Sequence, residues 1–218
     1  MRAPLVLAAC ALAASLGSAS HAAGDPTADA ARLKGRLEPD AAAHVLAIVD
    51  EARSAGLPTA PLVARALEGA SQQARSAVIV AEVRSLAASL GGARDALGAG
   101  SRETELVAGA SAIQAGVPVD SLSRLRASRP GESLTISLVV LCDLVARGVP
   151  QGTATLAILS AVRAGGTDRD LLRMREHVHA QIQHGQAPAG AAQKGLRELL
   201  ERRPGAHEQA GGAARRTP

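Results

Sequence analysis

The sequence predicts an all-α protein of about nine short helices arranged in antiparallel hairpins, and three observations support that prediction. Apolar residues recur with helical spacing along most of the chain. The apolar stretches end at glycines, and a proline or a capping residue follows within a few positions. A single segment alternates in the manner of a β-strand, and no partner strand is in view for it.

The N-terminus has the order of features that is typical of a secretory signal peptide over residues 1–22. Arg2 precedes an apolar run from Leu5 to Leu16, and the small residues of Ser20-His21-Ala22 follow. We expect cleavage after Ala22 or, as the second choice, after Ala23. The apolar run is shorter than the roughly 20 residues that cross a bilayer. The mature protein is therefore expected in the periplasm or in the medium.

The two cysteines agree with this interpretation. Cys10 follows Leu7-Ala8-Ala9 and resembles the lipid-modified cysteine of a lipoprotein, but too few residues precede it for a normal signal. Cys10 is then removed with the signal peptide, which leaves Cys142 and no possibility of an internal disulfide. Cys142 lies in the apolar segment LVVLCDLVA, where a small buried side chain is expected.

Composition excludes several classes of binding site. The chain contains no Phe, Trp or Tyr, although 47% of its residues are apolar. Base-stacking platforms, sugar-stacking faces and aromatic cages all need rings, so no specific nucleic-acid partner is expected. The core must be built from Leu, Val and Ile on closely packed helices.

The formal net charge of +4 belongs to the ends of the chain. Arg2 lies in the signal peptide and residues 202–218 are rich in arginine, whereas residues 23–201 are balanced. The composition of residues 202–218 predicts a disordered basic tail. A second interpretation is weak contact of these arginines with anionic lipid or polymer at the envelope surface.

Between these ends we expect a linker over residues 23–36 and a helical domain over residues 37–201. Four predicted turns share a glycine and an early proline, and they begin at Gly56, Gly116, Gly148 and Gly185. Glycines recur every 15 to 20 residues from Gly100 onward, so one hairpin spans about 32–35 residues, the length of an α-solenoid unit. A small solenoid is the first prediction, and a compact orthogonal bundle is the alternative.

Two helices carry clear apolar stripes, which are Ile79, Val83, Leu86 and Leu90 in one and Leu171, Met174, Val178 and Ile182 in the other. Thr167 and Asp170 at the start of the second helix are close to a capping box. The segment from Val139 to Val145 is apolar on nearly all sides and should be a buried central helix, in which Asp143 pairs with Arg147. The alternating segment from Leu134 to Leu138 is read as an extended linker.

Histidines and carboxylates form no recognisable site. His177, His179 and His184 share one predicted helix, but none is four residues from another, the spacing that zinc ligands on one helix prefer. No nucleophile elbow, phosphate loop or dinucleotide fingerprint appears. We therefore assign no catalytic, cofactor-binding or metal-binding residue and predict no cofactor. A hydrolase or lyase would have to assemble scattered residues such as Glu68, Asp143 or His177.

The segments AGLPTAPLVARALEGA (55–70) and SLVVLCDLVARGVP (137–150) resemble parts of exported helical proteins from GC-rich bacteria. The resemblance implies export and helicity, and it brings no activity, substrate or site residue. Within it, Glu68 is the most motif-like polar residue and Gly69 is expected to end a helix. The function that we expect is non-enzymatic: an interaction or scaffold module of the cell envelope with a protein or peptide partner.

Overall fold

The computed structural model describes residues 26–202, in which there are ten α-helices and no strand. This confirms the predicted all-α class. The helices are α1 (Pro26–Leu33), α2 (Pro39–Ser54), α3 (Ala60–Ser71), α4 (Ser76–Leu97), α5 (Glu103–Gln114), α6 (Val119–Ser128), α7 (Thr135–Ala146), α8 (Gln151–Arg163), α9 (Asp168–Gln183) and α10 (Pro188–Glu201). The predicted signal peptide with Cys10, and the predicted basic tail beyond residue 202, lie outside the described residues.

The chain divides into two compact units, with the boundary in sequence between Gln114 and Ala115. In the described range, unit 1 holds α1 to α5 and unit 2 holds α6 to α10. The first helix falls in the segment that the sequence predicted to be a linker. Leu33, at the end of α1, is fully buried in the core of unit 1, and α1 packs against α2 and α3. Burial of this leucine explains why the segment is helical.

Unit 1 is built around α4, which contacts α2, α3 and α5. The predicted stripe of Ile79, Val83, Leu86 and Leu90 is buried, and residues of α2, α3 and α5 complete the core. Among the described helices, α4 is the one with the length and apolarity to cross a membrane. Ile79, Val83, Leu86 and Leu90 of this helix are core residues of unit 1, and 33% of its most apolar window is buried.

Unit 2 contains two helical hairpins, α7–α8 and α9–α10, that stack on each other. Helix α7 contacts α9, and α8 contacts α10, while α6 packs on α8. The predicted central helix is α7, and its buried side chains include Cys142. The interpretation of residues 134–138 as an extended linker is wrong, because α7 begins at Thr135. Leu134 and Leu138 are both fully buried. They are four residues apart, a spacing that places side chains on the same face of a helix.

The predicted glycine turns are confirmed. Gly56, Gly116, Gly148 and Gly185 have φ between 67° and 87°. After α7, the N–H of Gly148 donates to the carbonyl of Val145 (2.9 Å) and that of Val149 to Leu144 (3.0 Å), which is the Schellman pattern. Val149 is then buried against the helix end.

The prediction that Gly69 ends a helix is wrong. Gly69 lies within α3, which continues to Ser71, and the left-handed residue after it is Gln73 with φ 55°. A Cβ atom on Gly69 would lie 2.9 Å from Cγ1 of Ile79 on α4. This glycine therefore lets two helices approach closely.

Candidate functional site

Glu68 and Asp143, two of the residues that a scattered active site would need, each lie beside an arginine. Glu68 lies 3.8 Å from Nε of Arg65 in α3. Asp143 accepts a hydrogen bond of 2.8 Å from Nε of Arg147, so the predicted intrahelical pair is confirmed. These contacts are typical of stabilising ion pairs on helix surfaces.

The histidines of α9 face different surroundings. Nε2 of His177 lies 3.2 Å from Oε1 of Glu198 on α10, and Arg202 lies 3.7 Å from the other oxygen of that carboxylate. His184 is the exposed residue after the last turn of α9. No group of three or more His, Cys, Asp or Glu side chains in residues 26–202 is arranged to hold a metal ion. The arrangement links α9 to α10.

The most buried charged cluster of unit 2 surrounds Arg129, which follows α6 and has a side chain only 9% exposed. Nη1 of Arg129 donates a 2.8 Å hydrogen bond to Asp168, and Nη2 donates to the carbonyl oxygen of Gly166. Both acceptors belong to the segment between α8 and the first turn of α9. The hydrogen bonds of Arg129 therefore join the α8–α9 turn to the end of α6 and stabilise this arrangement.

Unit 1 has a similar device. Asp29 of α1 is buried and accepts a 3.0 Å hydrogen bond from Nη2 of Arg53 in α2. Arg94 of α4 donates to the carbonyl oxygen of Gly56 in the α2–α3 turn. These arginines join elements that are far apart in sequence, and the sequence carried no signal for the pairings.

The solvent face of α4 carries four small side chains together with Glu82 and Arg84. Ala77, Ala81, Ser85 and Ala88 are exposed, and they recur at three- and four-residue intervals opposite the buried stripe. Val78, beside this face, is 41% exposed. Where these side chains are short, a second helix can approach the backbone of α4. The sequence analysis identified the buried stripe and missed this face.

A cleft of about 540 Å³ opens between the end of α1 and α3 in unit 1. We call it the basic cleft, because three cationic residues line it together with small and apolar ones. Its lining residues are Ala31, Arg32, Lys34, Gly35, Arg36, Leu67, Ala70 and Ser71. The sequence analysis missed it, because residues up to 36 were assigned to a linker. The sequence signal was the spacing of three cations at alternate positions from 32 to 36.

The chain was compared with protein-family models, with curated proteins and with solved structures, and no match was found in any of the three comparisons. The resemblance to exported helical proteins therefore stays a prediction from two segments.

Proposed function

We propose that the protein is an exported, non-enzymatic interaction module of the cell envelope, and that its partner is a protein that docks a helix on the solvent face of α4. The observation that carries this proposal is the row of exposed small side chains along α4, the longest described helix. Export is inferred from residues 1–22 alone, and the docking role is inferred from the folded units.

Physical reasoning favours a helix as the docked element. Small residues at three- and four-residue intervals let two helix backbones come close, which increases dispersion contacts along the whole interface. Arg84 lies among the small side chains, three residues after Ala81 and four before Ala88, and Asp95 follows on the same exposed surface of α4. They would pair with opposite charges on the docked helix, because charges across an interface steer association.

Site-specific photo-cross-linking in the producing cell tests the docking face. A photoreactive residue at Ala81 should give an adduct of one defined mass, because a docked helix would cover this position. The matched control is Ala47, an exposed alanine of α2 in the same unit. Ala47 should give no such adduct.

A second variant establishes that the adduct reports docking. Ala88→Arg places a long charged side chain on the same face and should abolish cross-linking at Ala81. Equal adduct yields at Ala81 and Ala47 would contradict the proposal. An adduct with the mass of two copies of this chain would also contradict it, since the face would then be a self-association surface.

A further inference from the structure

We propose that the basic cleft of unit 1 is a binding site for a phosphate-type anionic group. The group could belong to a free phosphorylated molecule or to a lipid headgroup, since both present the same oxygens. The inference is independent of the proposed docking face, because it rests on α1 and α3.

The three cations of the basic cleft have no partner of opposite charge in the described chain. Arg32, Lys34 and Arg36 are exposed and line one cleft. Among the described residues, none of these three side chains forms a salt bridge or donates a hydrogen bond. By contrast, Arg53, Arg65 and the other arginines in ion pairs already have acidic neighbours. No acidic side chain of residues 26–202 lines the cleft. The positive charge there is therefore not neutralised by contacts within the described chain.

Basic residues near a helix C-terminus have an ordinary structural role, which is to bind the last carbonyl groups of that helix. Backbone N–H groups already donate to two of the last carbonyls of α1 and to one near the end of α3. Lys34 N donates to Ala30 O (3.0 Å), and Arg36 N donates to Leu33 O (3.1 Å). At the end of α3, Gln73 N donates to Ala70 O in the same way (3.0 Å). The guanidinium and ammonium groups of Arg32, Lys34 and Arg36 are exposed to solvent.

Two leucines that pack into the core of unit 1 hold the cations together at its surface. Leu33 is fully buried and Leu37 packs against the core of unit 1, so the residues between and beside them are held at the surface. Gly35 has φ 74°, which turns the chain within this segment. The buried leucines therefore fix a tight turn from which the cations extend.

The chemistry of the lining selects the ligand class. Guanidinium groups match phosphate oxygens with paired hydrogen bonds, and lysine adds a mobile positive charge. Leu67 and Ala70 supply an apolar wall beside the cations. A volume of about 540 Å³ is in the range of small-molecule sites. A phosphate carried on a short apolar or sugar-sized body would satisfy both parts of the lining.

The test uses the full mature chain and two probes. Pyrophosphate represents a free ligand, and vesicles of phosphatidylcholine mixed with phosphatidylglycerol represent a lipid headgroup. The triple variant Arg32→Gln, Lys34→Gln, Arg36→Gln should weaken binding of at least one probe by about tenfold or more, which corresponds to about 1.4 kcal/mol.

The matched control removes three other exposed arginines, two of unit 1 and one of unit 2, in the variant Arg75→Gln, Arg102→Gln, Arg124→Gln. The control lowers the net charge equally and should retain affinity within about twofold. Loss for pyrophosphate indicates a free ligand, and loss for vesicles alone indicates a headgroup.

Three outcomes would overturn the inference. These are no binding of either probe by the unaltered chain, equal loss in both triple variants, and unchanged affinity in the cleft variant. Helical circular dichroism of both variants checks that they remain folded. A cleft variant that unfolds is replaced by Lys34→Glu, which reverses one exposed charge and should weaken binding in the same direction.

Discussion

Replacement of Arg129 by alanine should destabilise the protein by about 2–4 kcal/mol. Nη2 of Arg129 donates to the buried carbonyl of Gly166, and a hydrogen bond of this kind from a charged donor is worth about 1.5–3 kcal/mol. The ion pair with Asp168 adds only about 0.2–1 kcal/mol, because the Asp168 side chain is 44% exposed and water screens it. Glu132, at 3.9 Å and largely exposed, adds little.

Urea unfolding followed by the helical circular dichroism signal measures this effect. The chain has no aromatic residue, so intrinsic fluorescence is not available as a probe. With a slope of about 2 kcal/mol per molar urea, the midpoint should fall by about 1–2 M. The control Arg124→Ala removes an exposed arginine of α6 and should change stability by less than about 0.5 kcal/mol.

A third variant separates the two contacts. Asp168→Asn removes the ion pair and keeps the bond from Arg129 to Gly166, so it should cost less than half as much as Arg129→Ala. The reasoning fails if Arg129→Ala is as stable as Arg124→Ala. It also fails if Asp168→Asn alone reproduces the full loss, since the carbonyl bond would then contribute nothing.

Two further predictions compare matched positions within single helices. Gly195→Ala should cost about 1–3 kcal/mol of stability, because its Cβ would lie 2.8 Å from Cγ2 of Val178. Gly190→Ala in the same helix should be neutral or stabilising. Thermal unfolding distinguishes the two variants. Equal effects would mean that α9 and α10 adjust freely. In α8, Ile158→Ala should cost about 2–5 kcal/mol, while Leu156→Gln should leave stability within about 0.5 kcal/mol, because Leu156 is 66% exposed and Ile158 is fully buried. A large loss in the Leu156 variant, seen in urea unfolding, would mean that this side chain is covered in solution.

The turns show how much of the fold the sequence could predict. A helix stop such as Gly148 with Val149 is decided within about six residues, because its hydrogen bonds join positions close in sequence. The same local logic explains the capping box at Thr167 and Asp170, where Thr167 Oγ1 accepts from Asp170 N and Asp170 Oδ2 accepts from Thr167 N. These signals depend on neighbours in sequence and on no tertiary contact.

Other features depended on partners that the local sequence does not reveal. Gly69 resembles a helix stop in sequence, yet its neighbour in space is Ile79 on the next helix. Residues 26–33 resemble a linker, but Leu33 finds a buried position between elements that follow it. Local spacing alone cannot distinguish a glycine that ends a helix from one that admits a neighbouring side chain.

Local sequence predicts the all-α class, the positions of most helix ends and the exclusion of aromatic binding platforms. The pairing of charged groups depends on tertiary packing. Arg129 meets Asp168 across 39 positions of sequence, while Arg32, Lys34 and Arg36 remain unpaired in the described chain. The reason is physical: hydrogen bonds within a helical turn join neighbours in sequence, whereas the burial and pairing of charges depend on which helices pack together.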